Sequence, residues 1–277
     1  PPVIATATEG PAGSPAPPWR SLIMLLLMGM YPLIVGGIGF FLDPKTSDSA
    51  ALPSTVRGLL LVSAVNLGLF LLLFLTAAAA GRPSARELFA VPLPGLRTWL
   101  LGAVYSVALR VGTAVLALAA LLAAGVAVHL KGGSLESFAA ARPRVENVLD
   151  PHALRDPAYL LLSVTWVSFI IAGLREELWR AVVFAGLLRW RPQWRDGLRG
   201  RLILIGVTAV IFGFGHLPQG WTGVGLTTIL GAGLGAILLV HRSLWMAVLA
   251  HGFFDATSFL FLRLADAYGL LEQILTP

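Results

Sequence analysis

The chain has 277 residues, of which 57% are hydrophobic and only 12% charged, with a mean hydropathy of +0.81. Soluble domains carry roughly a quarter charged residues, so the composition excludes an ordinary soluble enzyme and a disordered protein and points to a chain solvated by lipid. With no cysteine, disulfide scaffolds, thiolate metal sites and cysteine-nucleophile catalysis are excluded as well.

The net charge of +6 rests on arginine, Lys45 and Lys131 being the only lysines. No basic stretch carries the interleaved aromatics of a nucleic-acid module. The charge therefore reports topology and contact with anionic headgroups, and no nucleic-acid partner is expected.

In chain order, residues 1–20 read as a flexible tail, rich in Pro, Ala, Gly and Ser. The apolar run after Arg20 has no small-residue cleavage site before Asp43 and reads as an anchor. Candidate spans follow at 21–42, 58–80, 98–128, 158–188, 202–217, 222–240 and 243–262. The expected fold class is all-α, a polytopic transmembrane helix bundle of seven spans, with eight as the alternative. A helix crossing the ~30 Å hydrocarbon core needs ~20 residues. The third and fourth spans, about 31 residues each, should tilt, break or extend beyond the lipid. The stretch from Ala265 to Leu275 is short and amphipathic and is expected at the interface. Four parts result: the tail (1–20), N-terminal membrane helices (21–154), a C-terminal membrane core (155–262) and an interfacial C-terminal segment (263–277).

Arginine placement orients the bundle. Ten basic residues fall on the side of the N-terminus against seven on the other, and five of the ten are the arginines of loop 189–201. By the positive-inside rule the N-terminus is expected to be cytoplasmic. The sixth span is crowded with Gly223, Gly225, Gly231, Gly233 and Gly235. No strand precedes this run, so a nucleotide loop is discarded in favour of close helix approach.

Ionisable residues in lipid cost several kcal/mol unless paired or facing water. The spans nevertheless hold Arg110, Arg175, Glu176, Glu177, Arg180, His216, His251 and Asp255. Taken singly, each reads as a structural pair or a snorkelling end. Their depths agree, however. At ~1.5 Å per residue, Glu176 lies ~20 Å from Arg189, His216 ~22 Å from Arg201, and His251 and Asp255 ~13 and ~20 Å beyond Arg242. Arg180 stands at i+4 from Glu176 and i+3 from Glu177, so it can hold either carboxylate. Asp255, at i+4 from His251, can orient the imidazole. Gly213 and Gly215 leave room near His216 for a substrate backbone, or serve helix packing.

Two carboxylates and two histidines without cysteine suit water activation, with a glutamate taking the proton and a histidine polarising the water or the carbonyl. A zinc ion held by His216 and His251 with Asp255 or Glu176 would serve the same purpose. No Gly-x-Ser-Gly, His-Glu-x-x-His or Gly-x-Gly-Asp motif is present. The alternative is a transporter or proton-relay protein using the same buried groups. No inverted repeat is visible to support it.

Glu176-Glu177-Leu178-Trp179-Arg180, Phe212-Gly-Phe-Gly-His216 and His251-Gly-Phe-Phe-Asp255 resemble the three ordered motifs of the CAAX-protease and bacteriocin-processing (CPBP) family of intramembrane glutamate-type or metal-dependent endopeptidases. The resemblance covers roughly residues 155–262. It departs from the family in two places: Asp255 stands where asparagine is usual, and two residues instead of three separate the glutamate pair from Arg180. Aligned on the glutamates, Glu176 takes the catalytic place, with Glu177 as the second candidate; aligned on Arg180, that place falls on Arg175, which cannot act as a base. The resemblance implies cleavage near the C-terminal tail of a membrane-anchored substrate. The Ala, Leu, Gly and Arg bias suggests a GC-rich bacterial genome and a plasma-membrane location. There prenylated substrates are not expected, and tail maturation or C-terminal sorting fits better.

Overall fold

The computed structural model describes residues 18–35, 52–131 and 144–271. Among the described residues seven helices carry the fold: α1 (Pro18–Gly29, resuming at 31–35 after a turn at Met30), α2 (Val56–Gly81), α3 (Leu96–Leu130), α4 (Pro157–Trp190), α5 (Leu198–Phe214), α6 (Gly220–His241) and α7 (Leu244–Ala267). No strand occurs among the described residues. Five helices, α2, α3, α4, α6 (with the turn from Leu217) and α7, are long and apolar enough to cross a membrane. The other two are shorter: α1 is an apolar helix at Trp19–Val35, and α5 has 17 residues. The tail before Pro18 and the span end at 36–42 lie outside the described residues.

Local chemistry sets the helix ends. Thr55 caps α2 through its side-chain oxygen, which accepts from the Gly58 N–H, and Arg82 closes that helix in a left-handed conformation. Asp156 caps α4 by accepting from the Ala158 and Tyr159 N–H groups, with Pro157 at the first helical position. Ser243 accepts from the Met246 N–H at the start of α7.

The two long spans differ from each other. α3 runs 35 residues without interruption, about 52 Å at 1.5 Å per residue, and outreaches the hydrocarbon core. α4 changes helix type instead. Its stretch Ser163–Leu174 is a π-helix, marked by the Ser168 hydroxyl donating to the Ser163 carbonyl five residues back, at 2.7 Å. A π stretch rotates everything that follows relative to an α-helical register, and such stretches concentrate at functional sites. This one ends at Arg175, where the glutamate pair begins.

α7 is the central helix. It packs against the π stretch of α4, against α3 and against α6, and 56% of its apolar window is buried, against none for α3. A Cβ on Gly173 would lie 2.9 Å from the Val248 carbonyl, and one on Gly252 would strike the Phe169 ring. Small residues thus let α4 and α7 approach closely just where both carry ionisable groups. In the glycine-rich α6, Gly231 meets Phe212 of α5 and Gly233 meets Leu109 of α3, as expected for close helix approach. α7 continues across residues 263–267 as regular helix, and its Asp266 is held by Arg155 at 2.6 and 2.8 Å. The first residues of the expected interfacial segment are therefore the last turn of a span. Those from 272 on lie outside the described residues.

Candidate active site

The glutamate pair opens the α-helical part of α4, and its two members face different surroundings. Glu177 is fully buried. One of its oxygens forms an ion pair with Arg180, which is equally buried, and the other lies 3.0 Å from His251 Nδ1 on α7. Of the two partners that spacing allows Arg180, the structure selects the i+3 glutamate. The guanidinium of Arg180 also lies over the Phe212 ring, 5.0 Å from its centroid, which offsets part of the cost of burying donors without hydrogen-bond partners.

Glu176 instead keeps 16% of its side chain exposed. Its Oε1 accepts from Arg175 Nη2 at 2.5 Å, so the neighbouring residue, and not Arg180, holds it. Its Oε2 lies 3.9 Å from His251 Nε2. Asp255 Oδ2 lies 3.7 Å from the same nitrogen. One imidazole therefore stands among three carboxylates from two helices.

His216 follows α5, which ends at Phe214, before Pro218 and earlier than the sequence pattern suggested. Its Nδ1 lies 2.8 Å from the Phe212 carbonyl. A carbonyl only accepts, so Nδ1 carries the hydrogen and the neutral ring has its lone pair on Nε2. The Phe212 ring stands between the two histidines, 4.6 Å from the His216 centroid and 6.0 Å from that of His251. A cleft of about 140 Å³ opens against this group, lined by Tyr31, Pro32 and Val35 of α1, by Arg175, Glu176 and Trp179 of α4, and by Phe212, Gly215 and His216. The two glycines ahead of His216 divide between the expected uses. Gly213 packs against Thr228 and Val224 of α6, whereas Gly215 lines the cleft beside Pro32.

Sequence reasoning assigned α1 no part in the site, and noted Arg110 as a charge within a span without assigning it a role. α1 walls the cleft and accepts the Trp179 indole N–H at the Met28 carbonyl. Arg110 of α3 anchors α7 beside the site: its Nη2 donates to the Phe254 carbonyl at 2.6 Å, to Thr257 Oγ1 at 2.7 Å and to Ser258 Oγ at 3.1 Å. An arginine in the middle of an apolar span was the available signal.

Among the described residues no group of three or more His, Asp or Glu is arranged to hold a metal ion. His216 and His251 each have Nδ1 engaged, which leaves Nε2 of both rings as the atoms that would hold a zinc ion, with no third ligand grouped with them among the described residues. No step below runs through a metal.

Residues 158–257 match the family model of Rce1-like type II CAAX prenyl endopeptidases. This segment is similar to the Rce1-like endopeptidases. The match spans α4 to the middle of α7 and contains all six residues of the three motifs. It agrees with the CPBP resemblance of the sequence. No curated protein and no solved structure matches the chain.

Proposed function

We propose that the protein is an intramembrane endopeptidase that hydrolyses a peptide bond near the C-terminal tail of a membrane-anchored substrate. The observation that carries this reading is the division of labour between adjacent glutamates. Glu176 faces a cleft shared with His216, while Glu177 is sealed behind it with Arg180 and His251.

Glu176 is the base. A water in the cleft gives a proton to its carboxylate, and the oxygen attacks the scissile carbonyl carbon. The Nε2 lone pair of His216 accepts the water's second hydrogen and orients it. Glu177, paired with Arg180, is ionised and accepts from His251 Nδ1. A protonated His251 then presents Nε2–H to the oxygen that becomes negative. As the tetrahedral intermediate collapses, the C–N bond breaks and the proton held by Glu176 passes to the leaving amine, giving a carboxylic acid and an amine. Asp255 sits where it stabilises a charged His251. Arg175 fixes the orientation of Glu176.

The membrane is a bacterial plasma membrane, with the arginine-rich end of the bundle and the N-terminus on the cytoplasmic side, and the process served is maturation or sorting of protein tails. The experiment is cleavage of membrane-tethered tail peptides, prenylated and unprenylated, in proteoliposomes. Cleavage of the unprenylated set, lost in Glu176→Gln, is expected. Cleavage of prenylated tails alone would overturn the substrate assignment.

A further inference from the structure

The sequence places five arginines between 189 and 201, but the fold does not treat them alike. Arg191 stacks on Trp190, 4.7 Å from the ring centroid, and Arg199 is exposed. Arg189, Arg195 and Arg201 instead converge with Arg86, from the connection after α2, and Arg242, from the left-handed end of α6. They line a cavity of about 220 Å³ where α2, α4 and α6 end and α5 and α7 begin, at the opposite end of α4 from Glu176's neighbours in the π stretch.

Charge in this cavity does not balance. Two acids line it, Glu87 and Asp196. Glu87 is spent on Arg189, which donates from Nε at 2.8 Å and from Nη2 at 2.9 Å. Four arginines then face one aspartate, and among the described residues none of Arg86, Arg195, Arg201 and Arg242 forms an ion pair. Guanidinium forks match phosphate oxygens in bidentate fashion. The floor beneath them is apolar, made by Phe89, Leu188, Leu204 and Leu239. A charged rim over an apolar floor, flush with the ends of membrane helices, suits an amphiphile better than a free ion. The volume is below the ~300 Å³ of drug-sized ligand pockets and suits a headgroup.

We propose that this cavity binds the phosphate of an anionic phospholipid headgroup from the adjoining leaflet. The site is separate from the glutamate–histidine cleft and does not depend on the reaction proposed there.

The test is lipid retention by the full chain in detergent, read by native mass spectrometry and by thermal shift, with phosphatidylglycerol, phosphatidylcholine or inorganic phosphate added. Phosphatidylglycerol should bind wild type at least about tenfold more tightly than Arg195→Gln/Arg242→Gln. The control Arg97→Gln/Arg199→Gln removes the same charge from outside the cavity and should bind like wild type. Arg195→Lys/Arg242→Lys keeps the charge without the forks, guards against misfolding, and should fall between. Competition by inorganic phosphate at high concentration would support recognition of the phosphate itself. Equal weakening in the control pair, no weakening in the cavity pair, or a response to inorganic phosphate with no advantage for the lipid would overturn the proposal.

Discussion

Glu177 and His251, 74 residues apart in sequence, meet at 3.0 Å between Oε1 and Nδ1 across the α4–α7 contact. Both are buried, and the glutamate's other oxygen is committed to Arg180. This pairing turns the second glutamate of the motif into the part that holds a histidine in place, and leaves the first to face the cleft.

Stability should therefore separate the two glutamates. Glu177→Gln leaves Arg180 as a buried cation without its counter-charge, a change that costs about 3–5 kcal/mol in buried pairs. Glu176→Gln also removes a counter-charge, from Arg175, but at a pair that borders the open cleft and with an oxygen kept for the guanidinium, so it should cost less than Glu177→Gln. Thermal unfolding in detergent measures both. Equal midpoints for the two variants would contradict the assignment of Glu177 to structure.

Arg110 is expected to act through α7. Arg110→Leu removes three charge-assisted hydrogen bonds to residues 254–258, each worth about 1.5–3 kcal/mol at most. Part of that is offset, because Thr257 and Ser258 also bond to their own helix carbonyls. Faster amide exchange confined to α7 and a partial loss of cleavage are the expected results. Unchanged exchange at 254–258 would show that the anchor is dispensable.

Acid should loosen the arginine-rich end. Glu87 is held below its ordinary range, at about 2 instead of 4.5, by the hydrogen bond from Arg189 and by Ser84, against the opposing effect of burial. Because the folded value is depressed, this contribution is fully present above about pH 4.5 and is lost as pH falls toward 2. Glu87→Gln should flatten the stability profile in that window and leave the neutral range as it was. An unchanged acid limb would refute the pairing.

The helices were legible because long apolar runs punctuated by arginine have one physical solution in lipid. The candidate group was legible in outline because ionisable residues in lipid are costly enough to stand out, and the six candidates came from that signal and the motif resemblance. What escaped depends on tertiary packing. Apolar periodicity does not distinguish π from α geometry over 163–174. In the α-helical turns that follow, both i+3 and i+4 spacings bring a carboxylate within reach of Arg180, so its choice between Glu176 and Glu177 stayed open until His251 of α7 was placed against Glu177. Tyr31 and Pro32 reach the cleft from a helix about 145 residues earlier, a contact no local spacing encodes. The start of α5 at Leu198 was hidden by Arg199 and Arg201, which broke the apolar run on which the boundary at 202 rested.

Chelation should have little effect. The proposed mechanism activates water with side chains alone, so cleavage should persist after exhaustive treatment with a strong chelator, and elemental analysis should find zinc well below one per chain. Loss of activity restored by added zinc would require a ligand arrangement different from the one seen here.

The most direct measurement is the single-turnover rate of tail-peptide cleavage by Glu176→Gln in proteoliposomes, compared with wild type at matched thermal stability. Removing a general base costs about 10²- to 10⁴-fold, and a loss of that size in a folded variant is the predicted result. A folded Glu176→Gln protein cleaving at the wild-type rate would contradict the role of Glu176 and, with it, the mechanism.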